Sequence, residues 1–245
     1  MDQRIKSISP DPVTNAVVEL RFESAYPKVA IYGLLYNKLK DDFKQQSSLP
    51  IMQLPEEVRL KDPNLKFKPW YQLSGQKILL QIGPDVIAIN YDCSSGYMGW
   101  DKFQPLIEKV NQSAISTGVM KTITRIGIRF ISFFENINIF DQIKLKVHYE
   151  ESKLTDSFTT LTTHIKKQNF TQRLVLNNSI INRCVSPQKI EKTGSIIDID
   201  TFTSDPMTNF DNLESFIDRG HSLGKALFFS LLEKQFLDSL NPCYK

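Results

Sequence analysis

Gly194-Ser195-Ile196-Ile197-Asp198-Ile199-Asp200 is an apolar run that carries two carboxylates two residues apart. In a pleated strand that spacing puts both acids on the same face. A polar loop then leads into a helical pattern from Asp211 to Leu240, with Leu213, Phe216, Ile217, Leu227, Phe228 and Leu231 as its apolar stripe. Gly220 and Gly224 allow close approach, Asp211 and Glu214 form a D-x-x-E start, and Asn241-Pro242 is the stop. Roughly 29 residues at about 1.5 Å each reach ~43 Å, long enough to cross a whole sheet. A strand followed by a sheet-crossing helix sets the class of fold, and the rest of the chain fills it in.

Upstream, Val13 to Glu23 alternates, with Ala16, Val18, Leu20 and Phe22 on one dry face. Pro27 opens a helix that carries Tyr32, Leu35, Leu39 and Phe43 and stops near Gln46. Residues 47–65, with Pro50, Pro55 and Pro63, read as an irregular connection. Three strands follow as a meander: Phe67 to Ser74, Lys77 to Ile82 and Val86 to Tyr91. Trp100 to Thr117 is helical, ended by Gly118, and Lys121 to Phe134 is a long strand with Arg125 and Arg129 on one face. Beyond it lie Lys144 to Glu150, Phe158 to Lys166, Thr171 to Leu176 and Ser179 to Cys184, with Gln168-Asn169 as a hairpin turn.

The mixture predicts an α+β fold of mostly antiparallel sheets in two packed lobes, with the long C-terminal helix across a sheet. Residues 1–140 make the first lobe (strand, helix, three strands, helix, strand) and residues 141–245 the strand-rich second lobe with its closing helix. A length of 245 residues suits one large domain or two such lobes. Hydrophobic residues at 41% and charged residues at 23% exclude a disordered chain. The 30 basic and 27 acidic side chains leave a net charge of +3, against a nucleic-acid partner. Cys93, Cys184 and Cys243 are odd in number and far apart, against a zinc site or a disulfide framework. Met1 to Pro12 has charges and prolines in place of an apolar leader, and no stretch approaches the ~20 apolar residues of a membrane span. A soluble, cytoplasmic protein that needs no cofactor or metal is the expectation.

An ordered set of segments carries a resemblance. It runs Asn15-Ala16-Val17-Val18-Glu19-Leu20-Arg21-Phe22, Gly99-Trp100-Asp101-Lys102-Phe103 and Arg125-Ile126-Gly127-Ile128-Arg129-Phe130-Ile131, then Ile197-Asp198-Ile199-Asp200 and Phe216-Ile217-Asp218-Arg219-Gly220-His221. Together these resemble a sporadically distributed family of bacterial and archaeal proteins with no established activity. The chain departs from it at Gly220, where a bulkier residue is usual, and at Ser132, where asparagine is frequent. The resemblance implies this architecture over nearly the whole length. It also implies a role as an accessory of a defence or toxin–antitoxin type of system.

Three functions stand against one another. Asp198, Asp200 and His221 are the residues for a metal-dependent hydrolase, since carboxylates and imidazole suit a divalent cation. The simpler account pairs Arg125 and Arg129 with Asp198 and Asp200 as structural ion pairs, and makes His221 an ordinary helix-face histidine. His148 and His164 lie on separate strands and complete no ligand set, and Lys166, Lys167 and Arg173 form only a solvated cluster. No G-x-S-x-G elbow, phosphate loop or dinucleotide fingerprint occurs. The aromatics Trp70, Tyr71, Tyr91, Tyr97 and Trp100 are core residues in the plain account. In the sharper one Trp70, Tyr71, Tyr97 and Trp100 bind. They then serve a non-enzymatic interaction module with a protein partner, which is the expected function, or, as the alternative, a small-ligand module with a cavity between sheet and helix.

Overall fold

The dry face of the second strand continues, residue by residue, into the strands beside it. Val18 stands opposite Ile89, Ile89 opposite Leu80, and Leu80 opposite Leu73, all four at 0% exposure. Directly opposed side chains of an antiparallel pair touch, so this row is a single apolar ridge across four strands. The computed structural model describes residues 5–183 and 191–244. Among these the strands are β1 (Ile5–Ser7), β2 (Val13–Glu23), β3 (Gln45–Ser48), β4 (Tyr71–Ser74), β5 (Ile78–Gly83), β6 (Val86–Tyr91) and β7 (Thr122–Glu135). They continue with β8 (His148–Tyr149), β9 (Ser152–Lys153), β10 (Thr160–Lys167), β11 (Phe170–Arg183), β12 (Glu191–Thr203) and β13 (Cys243–Tyr244). The helices are α1 (Lys28–Leu39), α2 (Glu56–Lys61), α3 (Trp100–Ser116), α4 (Ile139–Gln142), α5 (Leu213–Leu231) and α6 (Lys234–Ser239). Nine strands form one sheet in the order β10-β11-β12-β7-β2-β6-β5-β4-β3, and the fold is α+β. Among the described residues no helix is long and apolar enough to cross a membrane.

The chain divides into two compact units, and neither is continuous in sequence. One, here the meander unit, is residues 16–128 and 202–220; the other, the hairpin unit, is residues 1–15, 129–201 and 221–245. The lobe boundary expected at 140/141 lies inside the hairpin unit, because the divisions fall within β2, β7, β12 and α5.

In the meander unit α1 buries Ile31, Leu35 and Leu39, and α3 buries Phe103, Ile107, Val110 and Ala114. Two glycines bracket α3 in conformations L side chains avoid, Gly99 at φ 91° and Gly118 at φ 69°. The first helix stops at Leu39, short of the expected Gln46, because Gln45–Ser48 pairs with Tyr71–Ser74 as the exposed edge strand. The segment read as irregular holds α2. Pro55 caps it, Glu56 and Glu57 lie in its first turn, and Arg59 and Lys61 in its last, which suits the helix dipole.

In the hairpin unit β10 and β11 turn at Gln168 and Asn169, as the pattern predicts. The two short strands expected over 171–184 are one strand, β11. Asn177 and Asn178 do not interrupt it, because their amides have partners: Asn177 donates to Thr160 Oγ1, and Asn178 to the carbonyls of Thr155 and Ser157. Cys184 lies outside the described residues. Of the strand expected over 144–150 only His148–Tyr149 forms, turning back at once through Glu150 at φ 51°. The closing helix ends at Leu231, nine residues before the expected Leu240. There the backbone switches partners: Leu232 bridges to Ile143, Lys144 N–H donates to Leu231 O, and Glu233 N–H donates to Gln142 O. The switch lets both Leu232 and Phe236 join the core around Phe134, Phe140 and Leu176.

Candidate functional site

Asp198 is 3% exposed and accepts two bonds from Arg129, Nε to Oδ1 at 2.8 Å and Nη2 to Oδ2 at 2.7 Å. Arg173 Nη1 stands 3.9 Å from Oδ2. The bidentate fork satisfies a carboxylate that would be costly to bury alone. On the same strand Ile199 and Thr201 face Gly224 of α5, so the pleat turns Asp198, and Asp200 with it, to the opposite face. His221, one turn before Gly224 on α5, lies on the helix side, its ring 5.5 Å from that of Phe130. The three residues expected to make a catalytic or metal centre are therefore not brought together. Among the described residues no group of three or more His, Cys, Asp or Glu side chains has the placement of a metal site. Burial, reinforced by the nearby Lys225 ammonium, pushes the His221 imidazole down to a pKa of about 3 and keeps it neutral.

Arg125 donates to Glu19 Oε1 at 2.8 Å, as Arg21 does at 2.8 Å. Each guanidinium also covers a phenyl ring, Arg125 that of Phe202 at 4.7 Å and Arg21 that of Phe67 at 4.5 Å. Glu19 carried no signal in the sequence, being one of two acids, with Glu23, on the wet face of β2.

The four binding aromatics separate into two places. Trp100 donates from Nε1 to Asp218 at 3.0 Å and meets Phe103 edge-on, and Tyr97 meets Tyr91 edge-on. Both belong to the packing where α3 begins. Trp70 and Tyr71 instead line a cleft of about 140 Å³ with Lys28, Tyr32, Met52, Glu56, Arg59 and Gly83. Backbone hydrogen bonds fix one side of the cleft in place. Trp70 N–H donates to Ile82 O and Leu49 N–H to Trp70 O, both at 2.8 Å. At Gly83 a Cβ would lie 2.7 Å from Lys68 O, so only glycine fits there.

Two aromatic arrangements form the walls. Tyr32 stacks on Tyr71, with ring centroids 3.9 Å apart and planes at 21°, and Tyr36 stacks behind Tyr32 at 5.7 Å. Tyr32 Oη donates to Gln46 of β3, and burial raises the pKa of its hydroxyl, so it stays a neutral donor. Opposite, the Arg59 guanidinium lies over the Trp70 ring at 4.3 Å. Its Nη1 meets the thioether of Met52, a weak acceptor, and its buried Nε has no hydrogen-bond partner among the described residues. Lys28 is already engaged, donating to Asp85 Oδ2 at 3.0 Å. Sequence reasoning named two of these walls and missed Lys28, Tyr32 and Arg59. The site draws on residues 28–32, 52–59 and 70–84, and no spacing within one segment announces it. Neither the protein-family models nor the curated proteins include a match to this chain.

Proposed function

We propose that the chain is a binding protein whose site is the aromatic cleft of the meander unit, receiving a small ligand between the tyrosine stack and the tryptophan-backed guanidinium. One observation carries this: a void of about 140 Å³ is walled by Tyr32, Tyr71 and Trp70, beside an arginine whose buried Nε lacks a partner among the described residues. Ligand sites typically combine apolar walls with a few placed polar groups. A void of this size matches one six-membered ring, given that an engineered cavity of ~150 Å³ takes up benzene. A protein partner is the second reading, favoured by Val29 at 64% and Val58 at 43% exposure on α1 and α2.

The chain has two tryptophans, so Trp100→Phe leaves Trp70 as the sole indole reporter. Single-ring compounds titrated into that variant should change Trp70 emission, and their NMR shift changes should gather on Tyr32, Arg59 and Tyr71. Tyr71→Ala should weaken binding on the order of tenfold, the scale of one lost aromatic contact. If no ring compound perturbs Trp70, or the shifts scatter over the surface, the cleft is not a ligand site.

A further inference from the structure

We propose that the ligand of this cleft carries an oxyanion, a carboxylate or a phosphate, on one flat ring, and that Arg59 grips the oxyanion while Tyr32 and Tyr71 hold the ring. The inference rests on the cleft being a ligand site and adds its chemistry.

Arg59 is the reason. The Arg59 guanidinium lies over the Trp70 ring at 4.3 Å, and the N–H donors of a guanidinium point outward within its own plane. Among the described residues Nη1 meets the sulfur of Met52, and Nε has no hydrogen-bond partner. Among the described residues no carboxylate lies within ion-pair distance of Arg59, whereas Lys28 has Asp85. Arginine recognises carboxylates and phosphates through two parallel N–H···O bonds. The edge formed by Nε and Nη2 is the pair of donors left for such a fork.

The other charges at the cleft set the selectivity. Lys28 and Arg59 are the cations that line it and Glu56 is the acid, with Asp85 behind Lys28. Among the described residues the Glu56 carboxylate has no hydrogen-bond or ion-pair partner, and it sits one helical turn before Arg59. It repels an anion in the cleft, so removing its charge should tighten binding, whereas removing the charge of Arg59 should loosen it. Opposite signs from neighbouring residues are hard to obtain from a general change in stability.

The test compares phenol, benzoate and phenyl phosphate by calorimetry on the full chain, with inorganic phosphate as the probe without a ring. Benzoate or phenyl phosphate should bind at least tenfold tighter than phenol, the scale of a charge-assisted pair. Whichever of the two is preferred identifies the oxyanion. Arg59→Gln should bring the anions down to the phenol level, and Glu56→Gln should strengthen them a few-fold while leaving phenol unchanged. If Arg59→Gln does not fold, the phenol-to-benzoate ratio and the Glu56→Gln shift still decide. Equal binding of phenol and benzoate overturns the oxyanion and leaves the cleft as a neutral-ring site. No binding by any ring compound overturns both. Inorganic phosphate binding as tightly as phenyl phosphate overturns the role given to the tyrosines.

Discussion

At the scale of single residues, burial decides what a titratable group does, and the decision can run against its usual role. His221 was legible as the histidine nearest to the strand acids, yet its ring packs on Phe130 and its pKa is lowered by burial first and Lys225 second, to about 3. The unfolded chain therefore takes up a proton near pH 6.5, while the folded chain refuses it down to about 3. Stability from this group is complete above pH 6.5 and falls as pH drops through that value, by up to about 1.4 kcal/mol per pH unit. Glu214 works in the opposite direction. Its pKa is raised by burial and by Glu108 against the bond from Asn111, so it opposes folding as pH rises through its folded value. The Glu214 carboxylate of the expected D-x-x-E start accepts a bond from Asn111 of α3. Urea unfolding at pH 4.5, 5.5, 6.5 and 7.5 should give a midpoint that drops below pH 6.5 in the native chain and drops less in His221→Gln. An unchanged slope in the variant would show that the histidine is not the group responsible.

At the scale of elements, the sequence was readable where one periodicity met one environment. Strand β2 is placed residue for residue, because Ala16 to Phe22 alternates and every second side chain is fully covered. Readability failed where a side chain or a distant backbone segment supplied the bonds. The asparagines within β11 looked like a break until their partners at 155–160 were visible, and the end of α5 is set by residues 142–144, nearly ninety positions away in sequence. The arginine of the cleft was hidden in the same way, in a proline-rich segment whose short helix has too few residues to show a period. Helix α5 also illustrates a feature read correctly. A Cβ on Gly224 would stand 3.0 Å from Thr201 Oγ1 and 3.7 Å from Ile199 Cγ2, so the helix approaches β12 closely and a side chain there is tight. Gly224→Leu should destabilise the fold by about 1–3 kcal/mol, the range of core overpacking, despite the better helix propensity of leucine. Chemical denaturation measures it; a stabilised variant would mean that the contact yields at little cost.

At the scale of the whole molecule, the two compact units do not coincide with the expected lobes. The pattern suggested a cut near residue 140, where a long strand ends and a strand-rich stretch begins. The meander unit needs residues 202–220 as well, and these return to it from far along the chain. They bring Leu213 and Ile217, each 1% exposed, Glu214 against Asn111, and Asp218 against the indole of Trp100. They also bring Phe202, whose ring lies against Arg125, and Met207, whose backbone pairs with Ile123. A fragment of residues 1–140 lacks all of these. It carries 1–15 and 129–140 without the remainder of the hairpin unit. Expressed alone, it loses the Asn111–Glu214 and Trp100–Asp218 bonds and the buried Leu213 and Ile217, losses that weigh heavily against the roughly 5–15 kcal/mol by which whole domains are typically stable. The fragment should therefore show poor NMR dispersion and no cooperative melt, while the full chain melts cooperatively. A sharply folded 1–140 fragment would show that residues 202–220 are accessory to the meander unit, and that the sequence boundary was the physical one.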